Sequence, residues 1–335
     1  MKAYRLERLA GLDALKQVEL PDPQPGPHEI LVRMKAASLN YRDSIVIGGG
    51  YHRNRKTPLI PLSDGAGEVA AVGEGVTQFQ VGDRVAGCFF QDWESGDVSE
   101  EQMGSSLGGG RDGVLAEYVT FRERGAVKIP EYLTYEEAAT LPCAAVTAWQ
   151  ALTLASIQPG HTVLTMGTGG VSLFALQLAK AAGARVIITS SSDEKLARAK
   201  DLGADEGVNY RTTADWGKTA KQLTGGRGVD NVIELGGTGT LEQSLMAARV
   251  SGTVSLIGVL SGFPEQNPSI LPALFNRLRI QGIYVGSRTM FQDLNRALAA
   301  NQIQPVIDRV YPFDEARAAY ERLAAGAFGK VVVAI

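Results

Sequence analysis

Two spacings of apolar residues divide the chain. Up to residue 125 they alternate in short runs, the period of strands that bury one face. Gln17–Leu20, Ile30–Ala37, Gly67–Val72, Arg84–Ala86 and Val114–Phe121 read as strands. Between them lie PDPQPGPHE, GGGYHRNRKTP, GEGVTQFQVGD and SSLGGGRDG, whose Gly, Pro, Asn and Asp mark turns. The expected product is a strongly bent, mostly antiparallel sheet or a partial barrel.

Beyond Lys128 the period lengthens. Thr134 and Glu137 spell the T-x-x-E of a capping box, and a further helix is predicted over Ala144–Ser156. Strands and helices then alternate. The strands are Thr162–Met166, Arg185–Ser190, Gly207–Asn209, Asp230–Leu235, Gly252–Ile257 and Leu278–Val285. The helices are Gly170–Ala182, Asp193–Leu202, Ala214–Leu223, Leu241–Ala248 and Ile270–Asn276. Strands separated by helices in this way predict an α/β unit with a doubly wound parallel sheet. The tail reads as helices at Phe291–Ala300 and Asp314–Ala325 and a strand at Lys330–Ile335. It is expected to rejoin the first unit, so that a nucleotide-type domain over 126–286 is inserted into a β domain made of 1–125 and 287–335.

Composition narrows the function. There are 33 basic against 36 acidic residues, a formal net charge of −3. That balance offers no basic stripe for nucleic acid and no patch for an anionic membrane. No apolar run reaches spanning length, and the start of the chain carries charges throughout, so a cytoplasmic location is expected. Two cysteines, Cys88 and Cys143, exclude a disulfide framework and a four-thiolate metal site. The 39 glycines, without a collagen-like period, suit tight turns and close backbone approaches.

The densest chemistry follows the first strand of the parallel sheet. Gly167-Thr168-Gly169-Gly170-Val171-Ser172 is G-x-G-x-x-S between a strand and an amphipathic helix. Gly167 permits the turn, and Gly169 lets backbone approach a pyrophosphate. The helix start presents free N–H groups and its positive end to the anion, and Ser172 is small enough to pack helix on strand. Where an NAD-selective site places an acid at the end of the next strand, this chain has Ser190. Lys195 can pair with a 2′-phosphate, and Tyr210 with Arg211 can close the far side, so NADP(H) is expected over NAD(H). Asp193 and Glu194 partly offset that positive field.

Five further stretches carry a resemblance. They are Ala37-Ser38-Leu39-Asn40-Tyr41-Arg42-Asp43, Gly65-Ala66-Gly67-Glu68-Val69, Val81-Gly82-Asp83-Arg84-Val85, Leu141-Pro142 and Thr147-Ala148-Trp149. With the glycine motif they resemble the medium-chain dehydrogenase/reductase superfamily over the whole chain. The likeness is greatest to its zinc-free branch of NADPH:quinone oxidoreductase-like and zinc-independent alcohol dehydrogenase-like proteins. The resemblance implies a Rossmann doubly wound parallel sheet inserted into a GroES-like, mostly antiparallel β catalytic domain. The departures bear on metal. Asn40 stands where zinc members have Cys, Ser63-Asp64 stand where they have His-Glu, and Cys143 alone matches a ligand position. Gln91–Arg111 replaces the lobe of structural cysteines and contains none. No metal is expected.

The resemblance also places cofactor contacts. Asn40 and Thr147 are expected on the nicotinamide side, with Gly236, Gly258, Val259 and Leu260 after the fourth and fifth strands of the sheet. Lys330 is expected to return near the cleft. Without zinc, the substrate oxygen needs a donor, and Tyr51 and His52 are the candidates for catalysis. The acidic stretch from Cys88 to Gly113, with Phe89, Phe90 and Trp93, reads as a flexible excursion that is either a lid or surface.

The expected activity is hydride transfer from NADP(H) to a small apolar carbonyl or quinone substrate: a quinone, an enone, or a simple aldehyde, ketone or alcohol pair. The alternative is an NADPH-binding redox sensor or structural protein with little turnover. The strand Leu278–Val285 is an edge through which an identical chain can extend the sheet, which predicts a homodimer.

Overall fold

A computed structural model describes residues 1–50, 56–262 and 268–335 of the 335-residue chain. The backbone falls into two units, Met1–Val146 with Val285–Ile335, and Thr147–Tyr284. Sequence pattern changes at 125, whereas the first unit runs on to 146. The intervening segment belongs there because Ala126 pairs with Gly87 and the Cys143 amide binds Asp64.

The first unit opens with β1 (Lys2–Leu6) and β2 (Leu15–Glu19), an antiparallel pair. Its main sheet uses β3 (Glu29–Ser38), β4 (Asp64–Val72), β5 (Arg84–Gly87), β6 (Tyr118–Arg122) and β7 (Ala126–Lys128). The parallel strands of the second unit are β8 (Thr162–Met166), β9 (Arg185–Ser190), β10 (Glu206–Asn209), β11 (Val229–Glu234), β12 (Ala248–Leu256) and β13 (Arg279–Gly282). The tail supplies β14 (Ile307–Pro312) and β15 (Lys330–Ala334).

In the main sheet of the first unit the order is β14-β15-β3-β4-β5-β7, with β6 on β3. Strand β3 shows why. Ile30, Val32, Met34 and Ala36 are buried on alternate positions while Arg33 is exposed, so one face must join a core. That core gathers Ile30, Val32, Met34, Val85, Phe121, Val331 and Val333. The tail does return here: β15 pairs antiparallel with β3, Val332 opposite Ser38.

The second unit is a six-stranded sheet in the order β10-β9-β8-β11-β12-β13. Every residue of β8 and β11 is buried, as expected for central parallel strands covered on both faces. The order reverses between β8 and β11, and ligands of such sheets bind beyond the carboxyl ends at that point. Together the two units make a GroES-like, mostly antiparallel domain interrupted by a Rossmann-like parallel sheet.

Some expectations were displaced. The strand expected over Leu278–Val285 is shorter, since Val285 adopts φ 58° and leaves the extended region. The helix expected to start at Ala144 is preceded by a wide π turn, Leu141–Ala145, and runs Val146–Leu154. Val114 and Leu115 lie outside β6 but are fully buried, and the Leu115 carbonyl accepts the Tyr4 N–H at 2.9 Å. Among the described residues no helix is long and apolar enough to cross a membrane.

Candidate active site

The phosphate loop is built as its glycines require. Gly167 follows β8 with φ 72°, a conformation open to glycine and costly for residues with a Cβ. Gly169 is the N-cap of the helix Gly170–Ala181. A Cβ added at Gly167 or Gly169 would meet no atom within 4 Å, so space lies open above both. Ser172 is fully buried and its hydroxyl donates to the Met166 carbonyl at 2.5 Å, stitching the helix to the strand it leaves. Thr168 is buried, and Gly170 and Val171 fill the first turn, where N–H groups have no partner within the helix. This arrangement fits the pyrophosphate of a dinucleotide.

The end of β9 fits the adenosine side. Ser190 is buried; its carbonyl accepts the Tyr210 N–H at 3.0 Å and its hydroxyl accepts the Ser192 N–H at 3.3 Å. Ser192 caps the next helix by accepting the Lys195 N–H at 3.3 Å. Lys195 is half-buried, while Tyr210 and Arg211 are exposed. Asp193 accepts a hydrogen bond from Asn209 at 2.8 Å.

A residue that sequence reading missed organises the next loop. Glu234 ends β11 fully buried, and one carboxylate oxygen accepts the N–H groups of Gly236 (2.7 Å) and Gly237 (2.9 Å) and the Thr240 hydroxyl (2.7 Å). The other accepts the Ser244 hydroxyl. An acid closing a fully buried strand, with Gly236, Gly237, Thr240 and Ser244 following it, was the available signal. Gly258 packs on this loop so closely that a Cβ would sit 2.1 Å from the Leu235 carbonyl. Val259 and Leu260 beside it are exposed, and Thr147, at the start of this unit, is buried.

In the first unit, β15 carries Lys330 to the end of β3. The Leu39 N–H binds the Val331 carbonyl at 3.0 Å, which brings Lys330 beside Leu39 and Asn40. The buried ammonium donates to the Leu39 carbonyl (2.7 Å) and to Asn40 Oδ1 (2.6 Å), and lies 3.7 Å from Asp64 Oδ2. Asp64 also accepts the Ser63 hydroxyl at 2.6 Å and the Cys143 N–H at 3.1 Å. Asp43 accepts the Asn40 N–H at 2.7 Å and lies 3.5 Å from the Arg42 guanidinium. Burial pushes the Asp43 carboxyl up to about 6, against the pull of Arg42. Asn40 Nδ2 is shielded from solvent and has no hydrogen-bond partner among the described residues. An orphaned donor of this kind costs about 1–3 kcal/mol.

The family model described as "Alcohol dehydrogenase GroES-like domain" matches residues 26–131, and "Zinc-binding dehydrogenase" matches residues 170–300. A zinc-type alcohol dehydrogenase-like protein of Schizosaccharomyces pombe is 45% identical over 98% of this chain and 97% of its own length. The chain belongs to the medium-chain dehydrogenase/reductase family. A Sinorhizobium meliloti structure described as an alcohol dehydrogenase superposes with a TM-score of 0.93 at 44% identity, covering 100% of this chain and 98% of that one. A quinone oxidoreductase of Lama guanicoe is 30% identical over 99% of this chain and 97% of its own. The protein is therefore a medium-chain oxidoreductase, alcohol dehydrogenase-like or quinone oxidoreductase-like.

The family model's zinc finds a poor donor set here. Positions 40, 63 and 143 present an amide, a hydroxyl already donating to Asp64, and a thiol. Burial and the neighbouring Asp64 push the Cys143 thiol far up, with Lys330 pulling the other way. Among the described residues no three His, Cys, Asp or Glu side chains come together in a metal-holding group. Catalytic zinc takes three protein ligands, and these residues do not fit it.

Two candidates fall elsewhere. Tyr51 and His52, the expected catalytic pair, lie outside the described residues. The stretch after Cys88, read as flexible, is anchored. Phe89, Phe90 and Trp93 are buried, and Asp92 is ringed by Arg111 (2.6 Å), Arg122 (2.7 Å) and Arg124 (3.0 Å). Its Trp93 and Glu94 carbonyls accept the N–H groups of Arg288 and Thr289, both at 3.0 Å.

Proposed function

We propose that this oxidoreductase is zinc-independent, uses NADP(H) in preference to NAD(H), and reduces a small apolar carbonyl acceptor such as a quinone, an enone or a simple aldehyde or ketone. The observation that carries the reading is the phosphate loop: open space over Gly167 and Gly169 at the N-terminus of a helix, in a chain where no three His, Cys, Asp or Glu side chains come together among the described residues. A neutral Ser190 with Lys195, Tyr210 and Arg211 nearby supports the 2′-phosphate. The reduced nicotinamide supplies hydride when bound. The chain's part is to hold the pyrophosphate on the amides of Gly169 to Ser172 and to polarise the acceptor's oxygen. Tyr51 and His52 are the proposed proton donors to that oxygen.

The edge strand β13 supports a homodimer. It is exposed along its length and, among the described residues, pairs only with β12. Beside it in sequence, Leu274 and Phe275 are 69% and 76% exposed, more apolar surface than a solvent-facing helix ordinarily shows.

The decisive experiment follows NADPH consumption with a panel of quinones, enones and aldehydes, alongside elemental analysis of the purified protein. Turnover with no stoichiometric zinc, and a KM for NADPH at least about tenfold below that for NADH, is the expected result. Tight NADPH binding without turnover on any acceptor points instead to a sensor or structural protein. A KM favouring NADH removes the cofactor assignment.

A further inference from the structure

The bonds around Asn40 are uneven in a way that a purely structural residue would not need. Its N–H is taken by Asp43 at 2.7 Å and its Oδ1 by Lys330 at 2.6 Å, yet Nδ2 has no partner among the described residues and no solvent. An ammonium has only hydrogens to give, so the amide end that meets Lys330 must be the oxygen, and the NH₂ end is turned the other way. Buried polar groups are satisfied as a rule. Among the described residues Thr165, Thr253 and Asn295 also keep a buried side-chain atom without a partner, but Nδ2 belongs to an amide whose other end is held by a buried cation. A hydrogen-bond acceptor on a bound molecule would satisfy it.

Lys330 is placed for this task and not chiefly for neutralising Asp64. Its two short bonds, 2.6 and 2.7 Å, go to the neutral oxygens of Asn40 and Leu39, while the Asp64 carboxylate stands at 3.7 Å and is held by Ser63 and Cys143. A cation on Oδ1 draws electron density from the amide and makes its N–H a stronger donor.

We propose that Asn40 donates Nδ2–H to the oxygen of the carbonyl acceptor, with Lys330 as the positioning residue that orients and polarises the amide. The proposal deepens the reductase reading and rests on it. Hydride from the reduced dinucleotide forms a C–H bond at the carbonyl carbon, or at the far carbon of a conjugated acceptor, and the π pair moves onto oxygen. The dinucleotide is thereby oxidised and the acceptor reduced. Asn40 keeps its protons and shares one in a hydrogen bond with the oxyanion; the proton that completes the product comes from solvent, directly or through a side chain. A donor fixed before charge develops, where water is excluded, stabilises the transition state more than the ground state.

The test compares kcat, KM for the acceptor, NADPH affinity and melting temperature in the wild type, Asn40→Asp, Asn40→Ser, Lys330→Met and Lys330→Arg. Asn40→Asp and Asn40→Ser are expected to lower kcat by about 100-fold, the scale of losing one oxyanion donor, a loss larger than any change in NADPH affinity and seen in protein that still melts cooperatively. Lys330→Met is expected to lower kcat by about tenfold or more, and Lys330→Arg, which keeps a donating cation, to restore most of it. Two Asn40 variants guard against one failing to fold. A folded Asn40 variant with kcat within about threefold of an active wild type overturns the proposal and leaves the reductase reading standing. A wild type that binds NADPH but reduces no carbonyl acceptor overturns both. Stoichiometric zinc in the purified protein overturns the role given to Lys330.

Discussion

Asp43 shows what enclosure does to one carboxyl group. It is 1% exposed, and its carboxyl is raised to about 6 by burial, with Arg42 only partly offsetting this. A carboxyl with a folded value above its unfolded one contributes stability that is fully present below about pH 4 and is lost as pH rises through about 6. Asp43→Asn, which cannot ionise, is expected to gain stability relative to wild type across that window, by no more than about 1.4 kcal/mol per pH unit. Urea unfolding at a series of pH values reads this, and parallel curves for the two proteins would count against it. Ser190 offers a second single-residue test. Ser190→Asp places a carboxylate where a 2′-phosphate is expected, so KM for NADPH should rise by about tenfold or more while KM for NADH changes little. An equal shift for both cofactors would put the phosphate elsewhere.

Among the elements, the β11 loop depends on a single acid. Glu234→Gln replaces one acceptor by a donor among groups that are themselves donors, so at least one buried N–H or hydroxyl loses its partner. The expected cost is about 1–3 kcal/mol of stability with weaker cofactor binding, measured by thermal melting with and without NADPH. Unchanged melting and binding would show the loop holds itself. This element also marks the limit of sequence reading. Strands β8 and β9 were legible to the residue, because both are fully or nearly fully buried runs bounded by turn residues. The phosphate loop was legible because its chemistry is local, a strand, three glycines and a helix in succession. Glu234 was not, since its partners become visible only once the chain folds back from Gly236 to Ser244. Strands β1 and β14 escaped for a related reason: each is ordered by a partner strand, not by a strong pattern of its own. The ligand-position residues Asn40 and Cys143 were identified by motif, but the bond between Asn40 and Lys330 joins positions 290 residues apart and no local spacing encodes it.

For the whole molecule, the exposed edge at β13 and the apolar residues before it suit the proposed homodimer, in which a second copy would extend the sheet. Ile280 sits in β13 and is 42% exposed. Ile280→Lys, with Phe275→Glu, is expected to yield monomers of unchanged secondary structure in light scattering, where the wild type gives dimers. A monomeric wild type at micromolar concentration would refute the dimer.

The pairing of β15 with β3 carries a consequence for how the protein acquires its shape. The sheet that holds Asn40 and Lys330 is assembled from segments on either side of an inserted unit, whereas Thr147–Tyr284 is continuous in the chain. Loop-closure entropy makes such a distant pairing slow compared with local ones. The parallel sheet is closed within one continuous stretch of chain, while the GroES-like unit is complete only once its last strand has arrived. The contact between Lys330 and Asn40 dates the completion of that process: it can close only after both ends of the chain have met.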